Sequence, residues 1–415
     1  MNRLLIGALV LLVGVRAQAQ ERLGIDNILS RIERDHPVAK MYAAEIRSAD
    51  EAAKGAKSWA APELGTGFWM TPYNPSYWKK GMDGTPGMGQ YMVSVQQMIP
   101  NRKEQTANEK YMKAMSASDR EREKTSLNEL YASAKANYYQ WMMDDRKLRV
   151  LDEDDKLLDF MVKSAELRYK NNLGKLNAYY KVKAALGTVE SQRVTVENDI
   201  DQRRIALNTL MNQNRQAVFA IDTVFALKEY TTADTAYLMQ ARSDLRAVDR
   251  EIDLTYLQRD LEKSKLKPQF GVQYQHMFGF GSLPMQFSLM ATVRLPMAAW
   301  SSKSYKANIE GLGWKAEALR QQKEMIANEA SGQAASLRAA IRSKRKQLDL
   351  YEGTIIPALR KNLETMQLAY EQNTEQLFEL FDAWQSLNTT RMDYLDQLQE
   401  LLKIQVELEK ILEQK

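Results

Sequence analysis

The sequence contains few side chains that could carry out catalysis. It has no cysteine, and its two histidines, His36 and His276, lie far apart in the chain. Thiolate nucleophiles, disulfides and an imidazole-rich metal cluster are therefore excluded. Paired carboxylates occur in charged runs such as 119–124 and 152–155, but no histidine or aromatic cluster accompanies them, and we interpret both runs as solvated helix surface. The sequence thus predicts neither an enzyme nor a bound cofactor.

Methionine is the abundant side chain with metal-binding chemistry. The chain has 21 methionines, and their thioether sulfur prefers soft ions such as Cu(I). We single out Met70, Met82 and Met88, which lie close together in the sequence, as candidate metal ligands. Further methionines follow in the same and a later segment, namely Met92, Met98, Met277, Met285, Met290 and Met297. The alternative is that these adaptable side chains fill packing gaps.

The first nineteen residues have the features of a secretory signal peptide. A short basic start is followed by an apolar run over 4–15 and by the small-residue site Ala17-Gln18-Ala19. We expect cleavage after Ala19. No later stretch approaches the ~20 apolar residues that a transmembrane helix needs. The net charge of +5 is small for 415 residues, and it predicts no nucleic-acid partner.

Long helices make up most of the predicted structure. A 3.6-residue apolar period predicts four helical stretches, which are 22–58, 101–215 with one interruption, 234–266 and 301–415 with one interruption. Two segments bounded by proline, 62–100 and 268–297, interrupt that period.

The two proline-bounded segments have a period of two, which is typical of β-strands. In the later segment, Phe270, Val272 and Tyr274 alternate with polar or small residues, and the earlier segment repeats this pattern. Each strand has about ten residues, the length that crosses a bilayer at a tilt of roughly 45°. Each segment therefore predicts one hairpin with an apolar and a polar face.

Aromatic residues at the strand ends favour a membrane location over soluble hairpins that cap a helical bundle. Belts of such residues form at membrane interfaces. Here they are Trp59, Trp69, Tyr73, Tyr77, Trp78, Phe278, Phe280 and Trp300. Four strands cannot close a barrel, and an open sheet edge is not tolerated in lipid. The strands therefore predict an oligomer.

The chain consists of two similar halves. Sparse matches recur at a constant offset of 201 residues, which pairs Asn172 with Asn373. Asparagine tolerates the left-handed backbone of a tight helix turn, so each asparagine is a predicted hairpin tip. From Pro100 to the first tip, about 70 residues would form roughly 105 Å of helix. The predicted divisions are 20–215 as the first repeat, 216–233 as an equatorial linker and 234–415 as the second repeat.

Short motifs in a fixed order connect the sequence to a known family. They are His36-Pro37, Ala61-Pro62-Glu63-Leu64, Val95-Gln96-Gln97-Met98-Ile99-Pro100-Asn101, Leu167-Arg168-Tyr169, Arg242-Ser243-Asp244-Leu245, Lys267-Pro268-Gln269-Phe270-Gly271 and Leu295-Pro296. With the repeat and the signal peptide, they make the mature chain similar to the TolC family of outer-membrane efflux proteins. The chain departs from the family after Pro100, where Asn101-Arg102-Lys103 replaces the usual Gly-Lys, and at the tips, where asparagine replaces the common glycine.

The resemblance implies a mainly α fold with a small β part. Long antiparallel helical hairpins, packed as in a coiled coil, would form an α-helical barrel in the periplasm. Four transmembrane β-strands per protomer would form a twelve-stranded barrel in a homotrimer, surrounded by outer-membrane lipid. The expected partners are a periplasmic adaptor protein and an inner-membrane pump of the resistance-nodulation-division type. Because the pump supplies the energy, conduction through the duct would be passive.

The resemblance also assigns a role to the tips of the helical hairpins. They would dock on the adaptor and define the periplasmic aperture, with charged side chains closing the tube between protomers. The residues concerned are Arg168, Tyr169, Lys170, Asn172, Gly174, Lys175, Tyr370, Glu371, Asn373 and Glu375. The alternative for any one of them is an ordinary solvated helix turn.

Two other functions remain open at the level of sequence. One is a periplasmic coiled-coil scaffold or adaptor without a barrel, which would be soluble after signal removal. The other keeps the duct but exports drugs or proteins. The methionine-rich strand segments resemble the heavy-metal efflux branch of the family, the CusC- and CzcC-like proteins, and make metal ions a candidate cargo.

Overall fold

The computed structural model describes residues 22–223 and 235–415, and its structure is mainly helical with a small β part. The predicted signal peptide, 1–19, and positions 224–233 of the predicted linker lie outside the described residues. The helices are α1 Ile25–Asp35, α2 Pro37–Lys54, α3 Arg102–Lys170, α4 Leu176–Leu210, α5 Thr235–Ala241, α6 Ser243–Lys265, α7 Lys303–Leu350, α8 Ile356–Glu371 and α9 Leu377–Leu412. The strands are β1 Arg22–Leu23, β2 Glu63–Trp69, β3 Gln90–Ile99, β4 Ala220–Ile221, β5 Gln269–Gly279 and β6 Gln286–Arg294.

The first predicted helical stretch, 22–58, consists of two helices. Pro37 is the first residue of α2, a position where its missing N–H is not needed. The residue before a proline avoids the helical conformation, and His36 is accordingly extended. Its Nδ1 caps α2 by accepting a hydrogen bond of 3.2 Å from the N–H of Val38. A break of one residue leaves the 3.6-residue period intact, which is why the period alone did not predict it.

Helix α3 is the longest element and packs against α2, α4, α6 and α9. Its 69 residues correspond to about 105 Å. Asn101 caps its start, because the side-chain oxygen accepts a hydrogen bond of 2.9 Å from the N–H of Lys103. The helix runs to the first tip, from which α4 returns.

The second descending helix has the same length as the first. Helix α7, a π-helical turn at Tyr351–Ile355 and helix α8 have 48, 5 and 16 residues and follow one another without a gap, so that together they equal the 69 residues of α3. The N–H of Ile356 bonds to the carbonyl of Tyr351 at the end of the π turn. The wider turn lies beside Pro357, which removes a donor from the helix interior.

Both predicted hairpins form, and they join into one antiparallel sheet with the order β2-β3-β5-β6. The join is the pairing of β3 with β5, which runs from Gln90 opposite Gly279 to Ile99 opposite Phe270. Strands β2 and β6 are therefore the edges of the sheet.

The helices share two large apolar clusters along their length, and a smaller one with Val248, Ile252 and Leu319 lies between α6 and α7. The first contains Ile28, Met142 and Leu401, and the second contains Leu158 and Val182 nearer the tips. Helix α9 contributes the buried residues Leu380, Phe381, Trp384 and Leu387, which recur at helical spacing. Among residues 22–223 and 235–415, no helix combines the length and apolarity needed to cross a membrane.

The prediction that the charged runs are solvated surface is wrong for two of their residues. Asp154 is 4% exposed and Glu121 is 9% exposed. Successive residues of a helix point in different directions, so one carboxylate of a charged run can face a neighbouring helix while the others face water. Glu121 binds Arg246 of α6 at 2.8 Å, and Asp154 faces Trp384 of α9.

Candidate functional site

One face of the sheet exposes a predominantly apolar surface. Direct cross-strand neighbours share a face, and the register joins Phe68, Tyr91 and Phe278 in one such row. The other large apolar members of this face are Leu64, Val93, Val95, Ile99, Phe270, Val272, Tyr274, Phe287, Leu289 and Val293, all at least 37% exposed. Thr66, Gln97 and His276 lie on the same face. Soluble monomers rarely expose so many large apolar side chains on one surface. The face therefore requires lipid or another apolar partner.

The opposite face of the sheet is polar. It carries glutamine, serine, threonine, glycine and methionine on alternate positions of β3, β5 and β6. A hydrogen bond of 3.1 Å from Gln90 Nε2 to Gln286 Oε1 crosses this face and shows that the two side chains point the same way. The alternation predicted from the sequence is thus present in three dimensions.

The loop between β2 and β3 packs against the turn between β5 and β6. Trp78 stacks on Phe280 with ring centroids 5.3 Å apart, and its Nε1 donates a hydrogen bond of 2.8 Å to the carbonyl of Pro72. Gly281 has φ of 56°, and a Cβ there would lie 2.6 Å from the Cα of Gly87. Two of the predicted belt aromatics therefore hold the loops together at one end of the sheet, whereas others, such as Trp300 and Tyr73, are exposed.

The three methionines singled out from the sequence lie at the end of β2 and in the following loop. Met70, Met82 and Met88 are 82%, 111% and 58% exposed, respectively. Met70 also has a positive φ of 47°. Within the described ranges, no group of three or more His, Cys, Asp or Glu side chains could hold a metal ion.

The two tips have the same backbone geometry. Asn172 and Asn373 have φ of 57° and 60°, which is the predicted left-handed conformation. At the first tip the N–H of Leu173 bonds to the carbonyl of Arg168 at 2.8 Å. At the second tip the N–H of Thr374 bonds to the carbonyl of Ala369 at 2.9 Å, at the same offset of 201 residues.

Arg168 joins the two tips. Its Nη2 donates hydrogen bonds to the carbonyl of Tyr370 at 2.7 Å and to Oδ1 of Asn373 at 2.5 Å. Its guanidinium carbon lies 4.0 Å from the centroid of the Tyr370 ring, in cation–π geometry. The Tyr370 side chain is 1% exposed, and its hydroxyl lies 2.9 Å from Oγ of Ser164. We call Arg168, Tyr370 and Asn373 the tip junction.

The sequence placed the tip-junction residues among the tip residues but did not pair them. Pairing required knowing that the first tip lies beside the second, which the repeat offset does not reveal. The contribution of Ser164 was missed, as was that of Lys181, whose ammonium lies 3.8 Å from the centroid of the Phe378 ring.

The remaining tip residues make local contacts or face solvent. Lys170 pairs at 2.7 Å with Glu166 one turn earlier, and this bond lowers the pKa of Glu166 and raises the pKa of Lys170. Glu371 accepts a hydrogen bond of 3.1 Å from Gln367. Tyr169 and Glu375 are exposed. A cavity of about 570 Å³ between the tips is lined by residues that include Arg168, Asn172, Gly174, Lys175 and Tyr370.

A buried carboxylate lies above the tips, between α3 and α9. Trp384 Nε1 donates a hydrogen bond of 2.9 Å to Oδ1 of Asp154. Oδ2 of Asp154 is buried and has no hydrogen-bond partner in the described part of the chain. Burial raises the pKa of Asp154 to about 6. The buried position therefore favours the protonated, neutral acid.

Solved structures of outer-membrane proteins share this architecture. The outer-membrane channel OprN matches with a TM-score of 0.75 at 13% identity, over 94% of this chain and 90% of that one. CusC, a protein that forms a transmembrane channel, matches with a TM-score of 0.74 at 13% identity, over 94% and 91%. VceC, an outer membrane protein from Vibrio cholerae, matches with a TM-score of 0.72 at 15% identity, over 94% and 95%.

No family model matches the sequence, and no curated protein matches it significantly. At identities of 13–15% the likeness to solved structures concerns the fold. The chain therefore has the fold of TolC-like outer-membrane channels, as its motifs predict.

Proposed function

We propose that this protein is the outer-membrane channel of a tripartite efflux system. The observation that carries the proposal is the four-stranded sheet, whose apolar face is exposed and whose edges are β2 and β6. In water such a surface favours aggregation. In a bilayer the apolar face contacts lipid, and closure of the edges between protomers satisfies every backbone hydrogen bond.

Strand directions favour closure by a symmetric oligomer. All neighbouring strands in the sheet are antiparallel, so β6 of one protomer runs antiparallel to β2 of the next. A ring of such sheets has an even number of strands, as bacterial outer-membrane barrels do. We propose a homotrimer with twelve strands, because this size follows from the resemblance to the TolC family.

The helices supply the periplasmic tunnel in this proposal. Two descending helices of equal length would span about 105 Å, and their tips would reach a periplasmic adaptor that docks on an inner-membrane pump of the resistance-nodulation-division type. The tip residues would form the aperture, with Lys170, Lys175, Glu371 and Glu375 as candidates for contacts between protomers. Conduction is passive and involves no chemical reaction by this chain.

The exposed apolar face argues against the alternative of a soluble periplasmic scaffold, because a scaffold without a barrel would leave this face in water. The remaining alternatives are channels that differ in the cargo they export. Metal ions agree with the methionines in and near the strands, whereas a wide water-filled duct would also conduct drugs or proteins.

Envelope fractionation tests the proposal. The full-length chain is expressed with its signal, and the outer-membrane fraction is solubilised in detergent for mass determination and for conductance in planar bilayers. We expect a trimer in the outer-membrane fraction that conducts ions. A soluble monomer or dimer in the periplasmic fraction would contradict the barrel and favour the scaffold.

A further inference from the structure

Two methionines are direct neighbours on the polar face of the sheet. The register of β3 and β5 places Met92 opposite Met277. The Gln90–Gln286 hydrogen bond lies on the same face, since Gln90 is two residues from Met92 and Gln286 is opposite Met277. Opposed Cβ atoms in an antiparallel pair are about 4.5–5.5 Å apart. Two thioether sulfurs can therefore reach one ion between them.

The space beside this pair is open on the β2 side. Gly67 is the β2 neighbour of Met92, and a Cβ built on Gly67 would meet no atom within 4 Å. On the other side, Gln286 is held by its hydrogen bond to Gln90. An ion could approach the Met92–Met277 pair over the glycine without displacing a side chain.

A second pair of methionines flanks β5 on the same face. Met98 lies opposite Gly271, and its sulfur is 2.6 Å from the position that a Cβ of Gly271 would occupy. The thioether of Met98 therefore lies over Gly271 of β5, the strand that pairs with β6. Met290, one cross-strand row away on β6, is 44% exposed. Met98 follows Met92 by six positions, which corresponds to about 20 Å along the strand.

The polar face offers soft ligands but little charge. Within the four strands, its charged residues are Glu63 and Arg294, at the ends of β2 and β6. Glutamine, serine, threonine and glycine fill the other positions except Trp69 and the methionines. Hard cations prefer clustered carboxylates, whereas thioethers select soft ions such as Cu(I). A methionine side chain finds few apolar partners among these polar residues. Packing therefore explains the methionines on this face less well than ion binding does.

We propose that the Met92–Met277 pair binds a soft monovalent cation, Cu(I) or Ag(I), and that Met98 and Met290 form a second and weaker site on the same face. If the sheet closes as the proposed function requires, this face lines the channel and the methionines pass soft ions along it. The earlier candidates Met70, Met82 and Met88 lie outside this arrangement.

Silver binding tests the proposal, because Ag(I) is soft and does not change oxidation state in buffer. The full-length mature protein in detergent is labelled with ¹³C at the methionine methyl groups and titrated with Ag(I). We expect saturable shifts of the Met92 and Met277 methyl resonances, which are assigned by single replacements with leucine. Zn(II) at the same concentrations should leave both resonances in place.

Variants then distinguish a specific site at the Met92–Met277 pair from nonspecific binding of Ag(I) to exposed methionines. The double variant Met92→Leu/Met277→Leu should bind Ag(I) at least about tenfold more weakly. The control Met325→Leu, which removes a methionine that is 61% exposed on α7, should bind like the parent protein. If the leucine double variant fails to assemble into an oligomer, the double variant Met92→Gln/Met277→Gln, whose side chains match the polar neighbours, is used for the same test. Equal shifts at Met325, or undiminished affinity in the double variant, would overturn the proposal.

The mass and conductance of the same samples distinguish this inference from the proposed function. A conducting trimer without Ag(I) shifts would overturn the methionine site and leave the channel intact. Ag(I) binding by a protein that forms no channel would support the site and remove its place in a channel wall.

Discussion

Asp154 is a residue at which helix packing and charge oppose each other. Its side chain is buried against Trp384, which donates to one carboxylate oxygen, while the other oxygen has no partner in the described part of the chain. Desolvation is the largest influence on its pKa, and it exceeds the opposing effects of Trp384 and Arg391. The folded protein therefore holds a proton on Asp154 more tightly than the unfolded chain does.

The substitution Asp154→Asn should change how stability depends on pH. The folded-state pKa of about 6 lies above the ordinary value of 3.8, so the stabilisation that this group gives is complete below the ordinary value and is lost as pH rises through about 6. Asparagine resembles the protonated acid and keeps an oxygen for Trp384. We expect the variant to be more stable than the parent at pH 7.5, by up to about 3 kcal/mol, with little difference at pH 4.

Urea unfolding of the helical part, followed by circular dichroism at both pH values, measures this effect. Asp155→Asn, a neutralisation of the adjacent half-exposed residue, is the matched control and should give a much smaller difference. A parent protein that equals or exceeds Asp154→Asn in stability at pH 7.5 would show that the buried carboxylate is compensated by another contact.

Substitutions of Asn172 test whether the turn at the first tip depends on a left-handed backbone conformation. Its φ of 57° costs a typical L-residue about 1–2 kcal/mol, and glycine much less. Asn172→Gly should therefore leave amide hydrogen exchange at the tip close to that of the parent, whereas Asn172→Val should accelerate it. Equal exchange in the two variants would mean that the turn does not depend on the left-handed conformation.

At the scale of elements, the tip junction links the hairpin of α3 and α4 to the hairpin of α8 and α9. Removal of Arg168 eliminates two hydrogen bonds to the second tip and a cation–π contact with Tyr370. Such charge-assisted contacts contribute about 1–3 kcal/mol each. Arg168→Ala should therefore accelerate amide exchange in both tips, over 168–176 and 370–378.

Lys170→Ala is the control for the tip junction, because Lys170 pairs with Glu166 on its own helix. It should change exchange little, and only in the first tip. If the two alanine variants give the same exchange pattern, the link between the hairpins does not depend on Arg168.

The sequence predicted the elements better than the interruptions within them. The alternation in the strands and the asparagines at the tips each reflect a local rule, since side chains alternate along a strand and few residue types accept a positive φ. The break at His36-Pro37 and the π-helical turn at Tyr351–Ile355 change one or a few backbone hydrogen bonds without disturbing the apolar period. A proline lies at each of these two places, but the apolar period continues across both and predicted an unbroken helix there.

The contacts within the candidate sites could not be predicted from the sequence. The Arg168–Tyr370 contact and the burial of Asp154 depend on which helices become neighbours in space, and those neighbours are distant in the chain. The Met92–Met277 pair depends on the register between two strands that belong to different halves of the sequence. A repeat indicates that two halves are alike, but not how they pack together.

At the scale of the whole molecule, the sheet is the part that the isolated chain leaves incomplete. Helices α3 and α9 contribute buried apolar residues to both of the large apolar clusters, whereas the four strands expose one apolar face and end at β2 and β6. Closure of the sheet between protomers is therefore the central claim of the proposed function.

Disulfide cross-linking of the sheet edges in native membranes tests this claim most directly, because the chain has no cysteine of its own. Gly67→Cys on β2, where a side chain meets no atom within 4 Å, is combined in turn with Ser288→Cys, Met290→Cys and Thr292→Cys on the same face of β6. We expect at least one pair to give covalent dimers and trimers and nothing larger, and Gly67→Cys with Leu289→Cys, on opposite faces, to give none. Monomers alone for all three same-face pairs, or a ladder that continues past the trimer, would contradict a closed trimeric barrel.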